Sequence, residues 1–409
     1  MRVLTASAAC LVMGCGFSVS GESRPDAPDV VVDGAPDALQ PFTCVPWAAL
    51  NVDPCGAGLS NPSALVLSAG THVLDADTGT LTSNGGTPVA LPGAMVAQSN
   101  GPMVRVVNSR SLSIASGATL SIVGTPSVIF VVHDSATIDG VVDASARLEG
   151  ASSISGPGGN DASQCTSATG VDGADSTGTG GGGGGGGGAF GSNGGDGADG
   201  QGSGHGAKGG KGSSIGVATL LPLRGGCAGG SGGDDAVIAV EEGGRRGDGG
   251  GGLEITARNG VTINGTLVSN GTSAAAGGGA TQVRAGGGGG GSGGAILVDG
   301  DTVVVRSTAA LCANGGAGGE GGQLAATSSP GATPTCTGNR AVGGAQQVDG
   351  GDGGDGGAAA GATGTSGSAG ASNAGGGGGG GGAGRIRIRG RSQAATIDVS
   401  AVVSPPPST

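Results

Sequence analysis

The sequence contains very few large side chains. It has no Tyr, one Trp (Trp47), four Phe and two Lys among 409 residues. Too few large side chains are present to fill the close-packed core of an ordinary globular enzyme. The scarcity of aromatic residues and the net charge of −12 disfavour nucleic-acid binding, which needs stacking platforms and cations. No stretch approaches the roughly 20 apolar residues of a membrane-spanning helix, which excludes a multi-span membrane protein.

Glycine takes the place of the missing residues. The chain has 101 Gly, roughly one residue in four, whereas average usage is about 7%. No strict Gly-X-Y period runs through the chain, which excludes collagen. Two alternatives remain for the glycine-rich stretches: disorder, because Gly loses the most entropy on ordering, or side-by-side packing in a polyglycine-II-like form. These stretches lie at about 156–252, 271–294 and 315–384.

The N-terminus has the pattern of a bacterial export signal. Arg2 precedes a short apolar run, and Leu11 to Cys15 resembles a lipobox, in which Cys15 would be lipidated. An ordinary secretory signal cleaved a little later is the alternative. Gly16, rather than Asp, follows the cysteine, and by resemblance to sorted lipoproteins this predicts the outer membrane. We therefore predict a signal peptide over 1–15, a disordered Pro/Asp/Ala tether over 16–41 and a lipid-anchored, surface-exposed protein.

Six cysteines remain after Cys10 and Cys15, which lie in the signal segment. An even number in an exported chain predicts disulfides, although six cysteines allow 15 pairings. Sequential pairing is the simplest, and a zinc site is disfavoured because no Cys-x-x-Cys pair is present. The candidates are Cys44, Cys55, Cys165, Cys227, Cys312 and Cys336.

Four similar segments follow a disulfide-capped β region predicted over 42–126. Each has an alternating strand, a polar turn and a second strand, and they begin near Ser127, Leu253, Ala295 and Arg385. Each unit is too small to bury its apolar face, so we expect the copies to stack. The predicted fold is all-β, a parallel β-helix or β-solenoid over 127–402 with glycine-rich loops; the alternative is a β-sandwich. A Pro-rich tail follows over 403–409.

Several motifs occur together along the chain: the lipobox, the tether, Ala118 to Gly124, Thr137 to Ser145, Gly291 to Leu297, Gly384 to Ile388 and the ending from Val403. In these motifs the chain resembles the glycine-rich surface lipoproteins of myxobacteria, whose function is uncharacterised. The glycine tracts alone are loosely similar to the Gly-Gly-x domains of mycobacterial surface proteins. The resemblance implies an architecture and a location, and it brings no established activity.

Candidate sites are few. Residues 194–199 and 350–355 begin like calcium β-roll repeats but lack the apolar residue that follows, so Asp-Gly turns are preferred. The many Gly-x-Gly-x-x-Gly matches have no strand–loop–helix context. His133 and Asp134, with Asp139 and Asp143, would be acids and bases of a polysaccharide-active enzyme, but they fit turns equally. We predict no metal site, no cofactor and no catalytic residue.

Alternating arginines form the sharpest charge feature. They would place a cationic row on one side of the last strand, either as an anion-binding candidate or as protection of an edge strand. The predicted function is a non-enzymatic structural or adhesive surface protein that contacts outer-membrane lipid through Cys15, and glycans or neighbouring copies. The alternatives are a polysaccharide-active β-helix enzyme and an ice- or surface-binding polyglycine-II protein. The arginines are Arg385, Arg387, Arg389 and Arg391.

Overall fold

A computed structural model of the chain describes most residues from Phe42 onward. None of the described residues is helical, and no membrane-crossing helix is found among them. The predicted signal peptide, lipidation site and tether lie outside the described residues. The part from Phe42 forms one compact unit. The described ranges are 42–56, 59, 62–149, 152–236, 243–278, 283–324, 326–345 and 349–408.

The regular structure is entirely β. The strands are β1 (Ser63–Leu67), β2 (Gly70–Asp75), β3 (Thr80–Ser83), β4 (Val89–Ala90), β5 (Gly93–Ala97), β6 (Met103–Ile114), β7 (Ala118–Val123), β8 (Ser127–Val132), β9 (Ala136–Ile138), β10 (Val141–Asp143), β11 (Arg147–Glu149), β12 (Ser152–Ile154), β13 (Gly252–Ala257), β14 (Gly260–Ile263), β15 (Thr266–Val268), β16 (Ala295–Gly300), β17 (Thr302–Val305), β18 (Ala310–Cys312), β19 (Arg385–Gly390), β20 (Thr396–Ile397) and β21 (Val402–Ser404).

The strands form two large sheets. The 11-stranded sheet has the order β19-β16-β13-β8-β6-β9-β14-β17-β20, with β1 and β5 also paired to β6. The long strand β6 pairs with β8 through its first half and with β9 through its second, so this sheet bends into a half-barrel. The 8-stranded sheet has the order β21-β18-β15-β10-β7-β2-β3-β4. A separate pair joins β11 to β12.

One apolar core lies between the two sheets. Phe130 and Ile255 come from the larger sheet, Leu120 and Val142 from the smaller, and all four are fully buried. Alternate residues of each strand point inward, so the apolar face that the alternating pattern predicts is buried in this core. Burial of each large aliphatic side chain contributes about 1.5–3 kcal/mol.

The prediction of a parallel β-helix or β-solenoid with glycine-rich loops is wrong. The strands belong to two facing sheets, as in a sandwich, and antiparallel pairs join β2 to β3, β3 to β4 and β5 to β6. The stretches read as loops are also not loops, because they pack into a body of their own. The alternation of apolar and polar residues along a strand predicts which side chains are buried. It does not predict how the strands are arranged into sheets.

Each repeated unit holds three strands rather than the two predicted. Between units, equivalent residues lie side by side in parallel register: Leu253 pairs with Val128 and with Ile296, and Ile296 pairs with Ile386. The recurring Thr-Ile-Asp/Asn pattern has the same cause, since Thr262 lies opposite Thr137 in neighbouring strands.

Three glycine segments lie at the centre of the packed body. Gly185 donates its N–H to Gly287, Gly290 donates to Gly379, and Gly379 donates back to Gly185. The same bonds recur every third residue, which is the period of a polyproline-II-type helix, a form without internal hydrogen bonds. The segments therefore form a closed triangle of hydrogen bonds. These central segments are residues 182–188, 284–293 and 376–382.

Each central segment also bonds to outer neighbours. Successive residues donate in different directions: Gly183 donates to Ala174 and Gly184 donates to Ala198. Each central segment thus donates to three neighbours and accepts from three others, which is hexagonal packing. The described glycine-rich stretches are therefore ordered in polyglycine-II-like packing, the second of the two alternatives. The surrounding outer segments are 168–177, 193–201, 204–213, 226–234, 244–250, 269–277, 313–322, 351–357 and 362–368.

The packed glycine body, named here the glycine bundle, continues the larger sheet. Gly250 donates to Ser292 just before β13 and β16 begin, and Gly252 then pairs with Ala295 in the sheet. In the same way Gly293 donates to Gly382 before β16 pairs with β19. The strands therefore impose their register on the glycine segments, which have no side chains to specify one themselves.

Candidate functional site

A buried polar cluster lies on the outer face of the larger sheet. Two rows of side chains cross β8, β13, β16 and β19 on the face away from the core. Residues of 42–56, Leu59 and residues of 215–223 cover this face and make a second apolar cluster with Val131 and Leu297. The polar groups of the sheet that are buried beneath this cover include Glu254, Thr256 and Asp299.

Glu254 is fully buried in the middle of β13. Asn51 donates a hydrogen bond of 2.8 Å to its Oε2, and its Oε1 has no hydrogen-bond partner. Burial raises the pKa of Glu254 to about 8; Asp299 raises it further, while the Asn51 hydrogen bond, Arg387 and Arg389 oppose the rise. The carboxyl is therefore mostly protonated at neutral pH.

Asp299 lies on the next strand and is also fully buried. Thr256 donates to its Oδ2 at 2.9 Å, and Arg391 donates to the same oxygen at 2.8 Å. Burial raises the pKa of Asp299, and Arg391 and the Thr256 hydrogen bond oppose that rise. Trp47 donates to Thr256 at 3.2 Å, so the covering segment is joined to the cluster. Sequence reasoning missed both acids, although an acidic residue in mid-strand, as at Glu254, was the available indication.

Three of the four alternating arginines donate to the cover, and the fourth, Arg391, donates to groups of the larger sheet and the residue that follows β13. Arg385 donates to the carbonyl of Gly216 at 2.7 Å and Arg387 to that of Thr219 at 2.6 Å. Arg389 donates to Ala48 at 3.3 Å and Arg391 to Asp299. Each candidate anion-binding arginine thus donates to a group of the same chain.

Glu254 predicts a specific pH dependence of stability. Its pKa is about 8 in the folded chain against 4.5 for an ordinary glutamate, so the folded state holds the proton more tightly. The free energy of unfolding is therefore expected to fall as pH rises from about 4.5 to about 8, by roughly 1.4 kcal/mol per unit. Chemical denaturation across this range should show the slope, and Glu254→Gln should remove this contribution.

The exposed Glu149 supplies the control for this measurement. Glu149→Gln should leave the pH dependence of the unfolding free energy as it is in the wild type. It removes only an exposed ion pair with Arg147. An equal slope in wild type and Glu254→Gln would contradict the assignment.

The candidate catalytic residues do not converge on an open site. His133 is buried, bonds Asn108 at 2.7 Å and stacks edge-on with Phe42 and Trp47. Burial lowers the pKa of His133, and Arg258 lowers it further. The three carboxylates accept bonds from their own chain: Asp134 from Asn259, Asp139 from Asn264 and Asp143 from the Ser145 N–H.

The Gly-Gly-Asp stretches serve the glycine bundle. Asp196 accepts the N–H of Lys211 at 3.0 Å, and Asp355 accepts that of Gly343 at 2.9 Å. These carboxylates accept hydrogen bonds from backbone N–H groups at the outside of the bundle. Among the described residues no group of three or more His, Cys, Asp or Glu side chains is placed to hold a metal ion.

Three disulfides join the described cysteines sequentially. They link Cys44 to Cys55, Cys165 to Cys227 and Cys312 to Cys336. The first lies in the cover of the buried cluster, beside His133. The other two join residues at the edges of the glycine bundle.

Comparison with known proteins adds no relative. No family model matches the chain, and neither the curated proteins nor the solved structures contain a match.

Proposed function

We propose that the chain is a non-enzymatic structural or adhesive protein of the cell surface, anchored in the outer membrane by lipid on Cys15. The observation that carries the proposal is the ordered glycine bundle. Its central glycines are buried and hydrogen-bonded to neighbours in three directions. Ordering so many glycines costs much conformational entropy. The result is a rigid body, which suits a structural role.

The outer segments favour contact over chemistry. Parts of them present only backbone and small or short polar side chains, as in residues 362–368, whose largest side chain is Thr. Such broad faces suit weak contacts with glycans or neighbouring copies that gain strength when repeated. The polysaccharide-active enzyme is less favoured, because Asp134, Asp139 and Asp143 are used in bonds to their own chain.

Polyglycine-II-like packing also favours a second candidate, an ice- or surface-binding protein. The outer segments carry exposed charged groups, among them Lys208 and Asp199. Ammonium groups are strongly hydrated, which disfavours direct contact of this surface with ice. We therefore place adhesion before ice binding. Thermal hysteresis in solutions of the purified chain would instead support the second candidate.

Protease treatment of intact cells tests the proposed location. An epitope tag inserted after Gly86, in the exposed turn between β3 and β4, reports the folded body. We expect external protease to remove the tag from whole cells, and Cys15→Ala to release the protein from the membrane fraction. A tag protected until the cells are lysed would contradict surface exposure.

A further inference from the structure

The two lysines of the chain lie together on one face of the glycine bundle. Lys208 and Lys211 are three residues apart on an outer segment, so their attachment points are about 9 Å apart along it. Both side chains are exposed, and neither forms an ion pair with a described residue. This placement leaves both cations available to a partner.

The adjacent outer segment carries carboxylates at matching levels. The Lys208 N–H donates to Asp199 Oδ1 at 2.8 Å, and the Lys211 N–H donates to Asp196 Oδ1 at 3.0 Å. One turn further, the Ser214 N–H donates to Asn193 Oδ1 at 2.8 Å. Each charged level therefore holds one cation and one anion side by side. We call these six residues the Lys–Asp face: Asn193, Asp196, Asp199, Lys208, Lys211 and Ser214.

The Lys–Asp face is rigid. Gly209 and Gly212 of the lysine segment donate to Gly184 and Gly187 of the central segment. The aspartate segment is held in the same way, with Gly195 donating to Gly380. The flanking segment 362–368 bears no side chain larger than Thr, so a flat partner can approach closely.

This pattern is complementary to itself. Consider a two-fold axis that runs parallel to the two segments and midway between them. Rotation about this axis places the lysine segment of a second copy opposite the aspartate segment of the first. Positions along the axis do not change. Lys208 then faces Asp199 of a second copy, and Lys211 faces Asp196 of that copy. We propose that the Lys–Asp face is an isologous contact between two copies of this chain.

The contact is weak in solution and stronger on a membrane. Exposed ion pairs contribute little individually, but the symmetry repeats both of them, and anchoring raises the effective concentration of the partner. The inference deepens the proposed function by naming neighbouring copies as a partner, and it rests on that proposal for its biological setting. Failure of the contact leaves surface location untouched, because protease treatment of cells tests location separately.

Cross-linking of the purified full chain tests the contact directly. Isotopically heavy and light chains are mixed and treated with a carbodiimide, which joins amines to carboxylates. We expect hybrid heavy–light peptides in which Lys208 is linked to Asp199 and Lys211 to Asp196. Hybrid peptides are needed because the same residues are neighbours within one copy. Absence of these hybrid peptides would overturn the proposal.

Charge variants test the same face at equilibrium. K208E/K211E should weaken self-association in sedimentation equilibrium by about tenfold or more, because every opposed pair becomes a repulsion. D196N/D199N should also weaken it while keeping the side-chain oxygen that accepts the backbone N–H, as Asn193 does. The control R110E/R306E changes the net charge equally at exposed positions elsewhere and should associate as the wild type does. A monomeric wild type, or equal loss in the control, would contradict the contact.

Discussion

Replacement of Gly379 by Ala is expected to lower the free energy of unfolding by about 3 kcal/mol. Gly379 belongs to a central segment, donates to Gly185 and accepts from Gly290. A Cβ at this position would overlap the carbonyl oxygen of Gly195 on a neighbouring segment. That neighbour is backbone held by its own hydrogen bonds, so it cannot turn aside as a side chain would. Chemical denaturation monitored by circular dichroism measures the loss.

Gly210 supplies a matched control for this change. It lies in an outer segment of the same bundle, and a Cβ there would meet only the Val171 Cγ2, at 3.9 Å. Gly210→Ala should therefore leave stability nearly unchanged or raise it slightly, since Ala reduces the entropy of the unfolded chain. Equal effects at Gly379 and Gly210 would mean that the glycine segments are not closely packed.

Removal of the Cys165–Cys227 disulfide is expected to cost about 4 kcal/mol. The bond closes a loop with a sequence separation of 62, and an open loop of this length gains much entropy in the unfolded chain. Much of this loop belongs to the glycine bundle, including the central segment 182–188. Denaturation of C165A/C227A against wild type measures the difference.

The Cys44–Cys55 disulfide is the comparison for this variant. Its sequence separation is only 11, so C44A/C55A should lose about 3 kcal/mol, less than C165A/C227A. Removal of the Cys44–Cys55 disulfide should act mainly on the cover over Glu254 and Asp299. A larger loss of unfolding free energy in C44A/C55A than in C165A/C227A would contradict the loop-entropy account.

Much of the strand content could be predicted from the sequence. Alternation placed strands at Ser127, Leu253, Ala295 and Arg385, and the structure begins β8, β13, β16 and β19 at or next to these residues. Period-two patterns report which side chains face a core, and this holds in any β architecture. Such a pattern is local to one strand and holds no information on the arrangement of the sheets, so the solenoid was predicted wrongly.

The packing of the glycine segments could not be predicted from their composition. Gly185 and Gly379 look the same in the sequence as Gly210, yet a side chain fits only at the last. The difference arises from neighbours that are remote in the chain, such as Gly195 beside Gly379. Glu254 was missed for a related reason, since its burial depends on the covering segment near Asn51.

Hydrogen–deuterium exchange of the native chain tests the ordered glycine bundle most directly. We predict that peptides covering the central segments 182–188, 284–293 and 376–382 are protected as strongly as peptides covering β13 and β16, because their N–H groups are bonded and buried. Exchange of these segments at the rate of an unstructured glycine chain, while β13 and β16 stay protected, would contradict the account.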